Sequence, residues 1–338
     1  MGEIAGRRPQ VSLVTGGGGF LGGAIVRRLL ARCDTVRSLS RKRYPWHADV
    51  GVDGRVGDIA DKASVRAACE GVDVVFHTAA LPGVWGKRSD FERVNLGGTE
   101  AVIDACRAAG VKRLIHTSSP SVVFDGRDMA GVDESVPYPA RHLAQYPKTK
   151  AAAERRVREA AAAGLPAVIL RPHLIWGPRD NHLVPRILAR SGKLVRVGNG
   201  RNLVDTTYID NAASAHISAD EALAANPDLS GRIYFISQGD PIPLWEMVDE
   251  ILRAGGKPPV RGTIPRRLAW IIGAVLEGLY GLFRLPGEPR MTRFMAEELA
   301  TAHWFDISAA RRDLGYAPTV STREGLDALT RWLAARSA

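Results

Sequence analysis

Residues 11–30 read VSLVTGGGGFLGGAIVRRLL. A short apolar, β-rich run, VSLVT (11–15), is followed by a glycine cluster and then by an apolar-periodic stretch from Phe20 to Ala31. That order predicts a strand, a tight turn and the start of a helix. Gly16 permits the turn, Gly19 lets the backbone approach a pyrophosphate, and Gly22 lets the helix pack closely on the strand. The helix N-terminus then offers unpaired N–H groups and partial positive charge to phosphates. Glycine clusters also make plain turns, and the GxxGxxG spacing alone is a weak signal. Its place between a strand and a helix turns it into a dinucleotide cradle, with Gly16, Gly18, Gly19, Phe20 and Leu21 as candidate cofactor contacts.

Outward from this stretch, apolar runs alternate with helical patterns. TVRSLS (35–40), VDVVFHTAA (72–80), KRLIHTSS (112–119) and AVILRP (167–172) read as strands, while 90–109 and 146–163 read as helices. Alternation of this kind predicts βαβ units, right-handed crossovers and a doubly wound parallel α/β sheet, a Rossmann domain over residues 10–172. From residue 173 the pattern becomes irregular. Helical segments at 244–253, 266–283, 293–301 and 322–335 predict a smaller, mainly helical substrate-binding lobe over 173–338, with some chain returning to the sheet. No internal repeat is visible.

The end of the second strand bears on the ribose. A dinucleotide without a 2′-phosphate usually meets an acid there, whereas a 2′-phosphate calls for Arg. The sequence has Ser40-Arg41-Lys42-Arg43 and no acid. Arg41 offers a planar fork, and Lys42 or Arg43 adds charge, which favours NADP(H) over NAD(H). A solvated basic loop is the plainer alternative.

Tyr146 and Lys150 stand at i and i+4, on one helix face. A free phenol titrates near 10, too high for facile proton exchange at neutral pH, and a neighbouring ammonium stabilises the phenolate. YxxxK is common by chance. It gains meaning because Ser119 ends a predicted parallel strand upstream, at the carboxyl edge where such sheets bind ligands. Ser119, Tyr146 and Lys150 are the candidate catalytic set. Thr117 and Ser118 are alternatives to Ser119, or are caps or cofactor contacts.

TGGGGFLG (15–22), GDI (57–59), HTAA (77–80), VNLGGT (94–99), TSS (117–119), YPKTK (146–150) and RPHLIWGP (171–178) resemble the extended short-chain dehydrogenases/reductases over nearly the whole chain. The resemblance implies that Asp58 and Ile59 flank the adenine and that Thr78, Ala79 and Ala80 line the cofactor cleft. It further implies that Asn95 supports the site and that Thr117, Lys150, Pro172 and Leu174 lie along the cofactor. Dehydratases of this family carry acids just after the Ser/Thr, where this chain has Pro120-Ser121. Sugar-nucleotide enzymes bring an Arg into the strand near 202–213, whose TTYID core has none. The segments 174–186, 202–216, 284–294 and 303–318 look closer to the hydroxysteroid dehydrogenase-like group. Within that group the likeness leads to NADPH-dependent reduction of long-chain 2-alkyl-3-keto acids in bacterial olefin biosynthesis. A 3β-hydroxysteroid or sterol dehydrogenase is the alternative, and a sugar-nucleotide epimerase or dehydratase a lesser one. The resemblance also implies a homodimer built on the two helices 90–109 and 146–163, and assembly with other olefin-biosynthesis enzymes.

Composition agrees with a globular enzyme of 338 residues, 45% hydrophobic and 24% charged, with a formal charge of +10. The basic residues are scattered, clustering only at Arg7-Arg8, Arg41-Lys42-Arg43 and Arg266-Arg267, which argues against nucleic acid as a partner. Cys33, Cys69 and Cys106 lack metal-ligand spacing and read as reduced core residues, and no metal is expected. The N-terminus shows no apolar signal region, so a cytoplasmic location is expected, peripheral to a membrane if 268–285 touches one. That stretch, LAWIIGAVLEGLYGLFRL, is apolar on almost every helical face and fits core or interface packing, a lid over an acyl chain, or contact with lipid. His173 and His182 are candidates to meet a substrate carboxylate. His77 and His116 read as core residues with satisfied ring nitrogens.

Overall fold

The computed structural model describes residues 9–337, so the Arg7-Arg8 pair lies outside the described residues. Seven strands form the central sheet: β1 (Val11–Thr15), β2 (Thr35–Ser40), β3 (Asp53–Val56), β4 (Val74–His77), β5 (Arg113–Thr117), β6 (Ala167–Pro172) and β7 (Ile233–Ile236). All pair in parallel, in the order β7-β6-β5-β4-β1-β2-β3. The chain thus builds from β1 to one edge and returns to β4 to build the other. The switch point falls between β1 and β4, where the crevice of such sheets opens.

Side chains alternate across each strand, and that alternation makes two cores. Leu13, Val75, Leu114 and Ile169 face α2 (Lys62–Cys69), α3 (Gly98–Ala109) and α4 (Gln145–Ala162), meeting Val65, Val102 and Val157. Val14, Phe76, Ile115 and Leu170 face α1 (Phe20–Ala31) and α5 (Ile209–Ala225), meeting Ile25, Leu29 and Leu223. The β3 and β7 strands, absent from the runs expected as strands, are the two edges. Each has four residues, and β3 (DGRV) carries polar groups because only one side of an edge strand is covered.

The helix expected over 90–109 is interrupted: Glu92–Gly97 forms a π-helical turn before α3. The segment 202–213, expected as a strand, contributes only Leu203–Val204 and Thr207–Tyr208 before α5 begins at Ile209. Helices α6 (Leu244–Ala254), α7 (Arg266–Phe283) and α8 (Arg293–Glu298) lie beyond β7. A second sheet joins Ile242–Pro243, Leu203–Val204, His303–Phe305 and Met129–Val132, so a strand from before α4 pairs with one after α8. Cys69 and Cys106 are buried, but Cys33 is exposed. It occupies the turn after α1 with a left-handed backbone (φ 64), so its side chain leaves the core.

Asp220, wholly buried on α5, accepts from Arg113 of β5 at 2.6 Å and from Arg32, just past α1, at 2.8 Å. Arg32 also meets Asp34 at 2.7 Å, and Asp34 accepts from Ser12 of β1. Removing one member of a buried ion network strands the others, which costs about 3–5 kcal/mol. Asp220→Ala should therefore lower the unfolding free energy by about that much in urea titration; a loss well under 1 kcal/mol would show that the network does not hold α5 to the sheet.

Candidate active site

The glycine turn is built for close approach. Gly16 adopts φ +76, its N–H donates to the Leu39 carbonyl at 2.7 Å, and its carbonyl accepts from Gly19 N–H at 2.8 Å. A Cβ on Gly22 would lie 2.2 Å from the Gly16 carbonyl oxygen, so α1 could not seat on β1 with any other residue there. A Cβ on Gly18 would strike the Tyr44 ring at 2.0 Å. Gly19 is the N-cap of the helix, with no side-chain cap bond and no acid in the first turn, which leaves its positive end to an anion. Phe20 and Leu21, half-buried, begin the helix.

Thr78 donates to the Thr15 carbonyl at 2.7 Å, and the Ala79 N–H to the Thr15 hydroxyl at 3.3 Å. The 78–80 turn therefore lies against the glycine turn. Asp58 accepts from the Ala60 N–H at 3.0 Å and from Arg93 at 3.0 Å. Burial pushes its carboxyl up, but these donors and the nearby Arg41 outweigh it and hold it below its ordinary value. Ile59 is buried where Gly98 passes, and a Cβ on Gly98 would come within 2.8 Å of it. Arg41 and Lys42 are exposed just past β2, with the Lys42 ammonium 5.3 Å over the Tyr44 ring. These residues fit a dinucleotide: an uncapped helix end for the pyrophosphate and cations, not an acid, beside the ribose.

Across the crevice, Tyr146 opens α4 and keeps part of its ring exposed. Burial by its surroundings pushes the phenol up to about 12, opposed by the Ser119 hydroxyl beside it and reinforced by Glu298, so the lowering expected from Lys150 is not found. Ser119 also accepts from Ser121 N–H at 3.3 Å. Lys150, only 3% exposed, donates to the Thr117 carbonyl at 2.6 Å. Burial pulls its ammonium down to about 8, opposed by Glu154. The structure thus brings Tyr146 to Ser119, while Lys150 is fixed one turn along by the strand end. The Thr117 hydroxyl is engaged with His216 at 2.8 Å, and Ser118 is buried, so of the three only Ser119 turns a half-exposed hydroxyl to Tyr146. Pro172 ends β6, and Leu174 follows with a positive φ of 39. A non-glycine residue rests there only when its surroundings over-determine it, and such residues cluster at ligand sites.

The shell beneath explains the local order. In the π-helical turn, Asn95 accepts from the Leu81 N–H at 2.7 Å, and its amide donates to the Leu81 carbonyl and to Thr149. Glu154, on the same α4 face two turns beyond Tyr146, accepts from Arg171 of β6 at 3.1 and 2.5 Å and from Tyr138 at 2.7 Å. The i, i+4, i+8 spacing of Tyr146, Lys150 and Glu154 was the available signal for this pair. No such signal marks Glu298, whose carboxyl burial pushes up to about 7, because α8 meets α4 only through the tertiary fold. His77 has both ring nitrogens engaged, by Thr15 at 2.8 Å and Thr99 at 3.0 Å. His116, expected to be satisfied, has neither nitrogen bonded among the described residues: its strand neighbours are Ile169 and His77, whose ring lies 5.2 Å away with both nitrogens already engaged. His173 is buried against His303 and Phe305, and His182 is exposed. Among the described residues no group of three His, Cys, Asp or Glu could hold a metal.

A glycine cradle at a topological switch point, faced by Ser119 and Tyr146, defines an α/β protein of the extended dehydrogenase/reductase type. The chain belongs to the 3-beta hydroxysteroid dehydrogenase/isomerase family, whose model matches residues 13–264. It is 50% identical over 319 residues to the 2-alkyl-3-oxoalkanoate reductase of Stenotrophomonas maltophilia, covering 93% of this chain and 96% of that protein. It is 35% identical over 321 residues to the decarboxylating sterol-4-alpha-carboxylate 3-dehydrogenase of Mus musculus, covering 93% and 88%. The solved structure of MoeE5 in complex with UDP-glucuronic acid and NAD superposes with a TM-score of 0.74 at 26% identity, covering 97% of this chain and 99% of that one.

Lys150 titrates near 8 in the folded chain against an ordinary 10.5. Between those values the unfolded chain binds more protons, so stability rises with pH there; below about 8 both forms are protonated and the unfavourable contribution is constant. The stability of the wild type relative to Lys150→Met should therefore increase from about pH 7.5 to about pH 9.5 in urea unfolding. A difference that stays flat or falls would contradict the buried charge.

Proposed function

We propose that this chain reduces a long-chain 2-alkyl-3-keto acid to the 3-hydroxy acid with NADPH. The reading is carried by the 50% identity to a 2-alkyl-3-oxoalkanoate reductase over nearly its full length, in a chain that presents Ser119 and Tyr146 to the crevice. Arg41 and Lys42 after β2, with no acid at that point, support a 2′-phosphate and hence NADPH. When bound, the dihydronicotinamide supplies a hydride to the substrate C3.

The rest falls to the chain's own groups. Ser119, whose hydroxyl lies beside the phenol, holds the C3 oxygen. Tyr146 gives its proton to that oxygen as charge develops on it, closing the new O–H bond and leaving a phenolate. Lys150 contributes positive charge behind the phenol and holds the nicotinamide ribose. Burial pulls that ammonium down to about 8, against the opposing Glu154. The Thr117 carbonyl fixes the ammonium in place.

The sterol relative favours a second reading of the same site. Its name also describes a carboxylate on the carbon next to the reacting C3. A β-oxygenated acid is thus common to both, and the oxidative direction on a sterol acid would use the same Ser119 and Tyr146.

Tyr146→Phe should lower keto acid turnover by about a hundredfold or more while NADPH affinity, read by cofactor fluorescence, stays near wild type. Undiminished turnover would sink the assignment. Arg41→Ala should raise KM for NADPH about tenfold and leave KM for NADH unchanged; equal effects on both would argue against a 2′-phosphate site.

A further inference from the structure

Helix α7 faces the wrong way for a protein surrounded by water. Its buried positions are Ala269 and Gly273, and the approach at Gly273 is so close that a Cβ would lie 2.6 Å from the Thr292 backbone. Glu277, its only acid, turns inward and accepts from the Arg293 backbone and guanidinium, both at 2.7 Å, clamping α7 onto the start of α8. The opposite stripe carries Leu268, Ile271, Ile272, Val275, Leu279, Leu282 and Phe283, spaced at three and four residues, between 38% and 76% exposed. A helix at a water-facing surface ordinarily reverses this arrangement.

We propose that this outward face of α7 docks on the surface of an anionic lipid bilayer, with the helix lying in the plane of the headgroups. Charge selects the occupant. Arg267 and Arg284 flank the apolar stripe at its two ends, both exposed and in no ion pair among the described residues, and no acid lies on the stripe. Next to the first end is a groove of about 470 Å³ walled by Arg266, Arg267, Trp270, Ile271 and Glu297, where apolar surface and guanidinium groups meet as a phospholipid headgroup requires. The loop after the 78–80 turn adds Lys87, two residues past Trp85, whose ring meets Tyr280 of α7 edge-on at 6.3 Å. A second copy would seat less well: a two-fold contact through one helix brings the same cationic ends towards each other. No helix among the described residues is long and apolar enough to cross a membrane, so α7 lies on the surface and does not span it.

The inner side of α7 holds α8, whose Glu298 lies near Tyr146. Docking therefore brings the substrate wall of the crevice to the lipid. That a long-chain acid passes from bilayer to crevice at this point rests on the keto acid reading; the docking itself does not.

The test is co-sedimentation of the full chain with vesicles of phosphatidylglycerol and phosphatidylcholine, and with phosphatidylcholine alone. The mixed vesicles should carry the protein down, the neutral ones far less, and high salt should release it. Ile271→Asn combined with Leu279→Asn should reduce the bound fraction about tenfold or more, with an unchanged thermal midpoint because both side chains are exposed. Arg267→Gln with Arg284→Gln should weaken binding to the mixed vesicles alone. The proposal is overturned by no preference for anionic vesicles or by equal binding of the apolar double variant. It is also overturned if ultracentrifugation shows a dimer that this variant disrupts while vesicles bind nothing. Because vesicle binding is read without turnover, its failure leaves the keto acid reading standing, and failure of that reading leaves docking standing.

Discussion

A single bond from the Lys150 ammonium to the Thr117 carbonyl, 2.6 Å long and largely buried, joins the helix that carries Tyr146 to the strand that ends before Ser119. The two groups that face the crevice come from segments far apart in the chain, and this bond sets their register. Burial makes it costly for the ammonium, which is why its surroundings are so heavily braced. Glu154 bonds to Arg171 and Tyr138 behind it, and His216 holds the Thr117 hydroxyl while bonding the Ala212 carbonyl of α5. Asn95 fixes the opposite wall through Leu81 and Thr149. The site is thus rigid where atoms must meet and open only on the crevice side.

Much of this was legible before any coordinate. The glycine turn declares itself because strand, turn and helix each impose a local pattern, and the strand alternation is a property of a few consecutive residues. Ser119 and Tyr146 are readable because their roles follow from position at a strand end and at a helix start. What escaped detection was tertiary. The edge strand β3 (DGRV) has no apolar run because it is largely exposed, whereas β7 (IYFI) has one but stands alone in the irregular stretch after residue 173. The π-helical turn at 92–97 has no pattern that separates it from an α-helix, yet it aims Asn95. Thr207–Tyr208 looks like the middle of a strand, but Ile209 starts a helix whose Ala-rich run is ambiguous by period. Glu298 reaches the phenol through packing of α8 alone, and the unsatisfied His116 is visible only once its neighbours are placed.

The names of the two relatives share a chemical feature. One name describes a 3-oxo acid and the other a sterol acid oxidised at C3. Both put a carboxylate one carbon from the reacting centre on a large apolar body. Pro120-Ser121 and the Arg-free TTYID core are where the sequence departs from the sugar-nucleotide members.

The central claim is that a hydride passes from NADPH to C3 of a 2-alkyl-3-keto acid held at Ser119 and Tyr146. Its most direct test uses NADPH stereospecifically deuterated at C4 of the nicotinamide, with mass spectrometry of the product. The account predicts one deuterium, bonded to C3 of the 3-hydroxy acid, from one of the two C4 faces only. A product formed without deuterium from either face, or no 3-hydroxy acid at all, would contradict it.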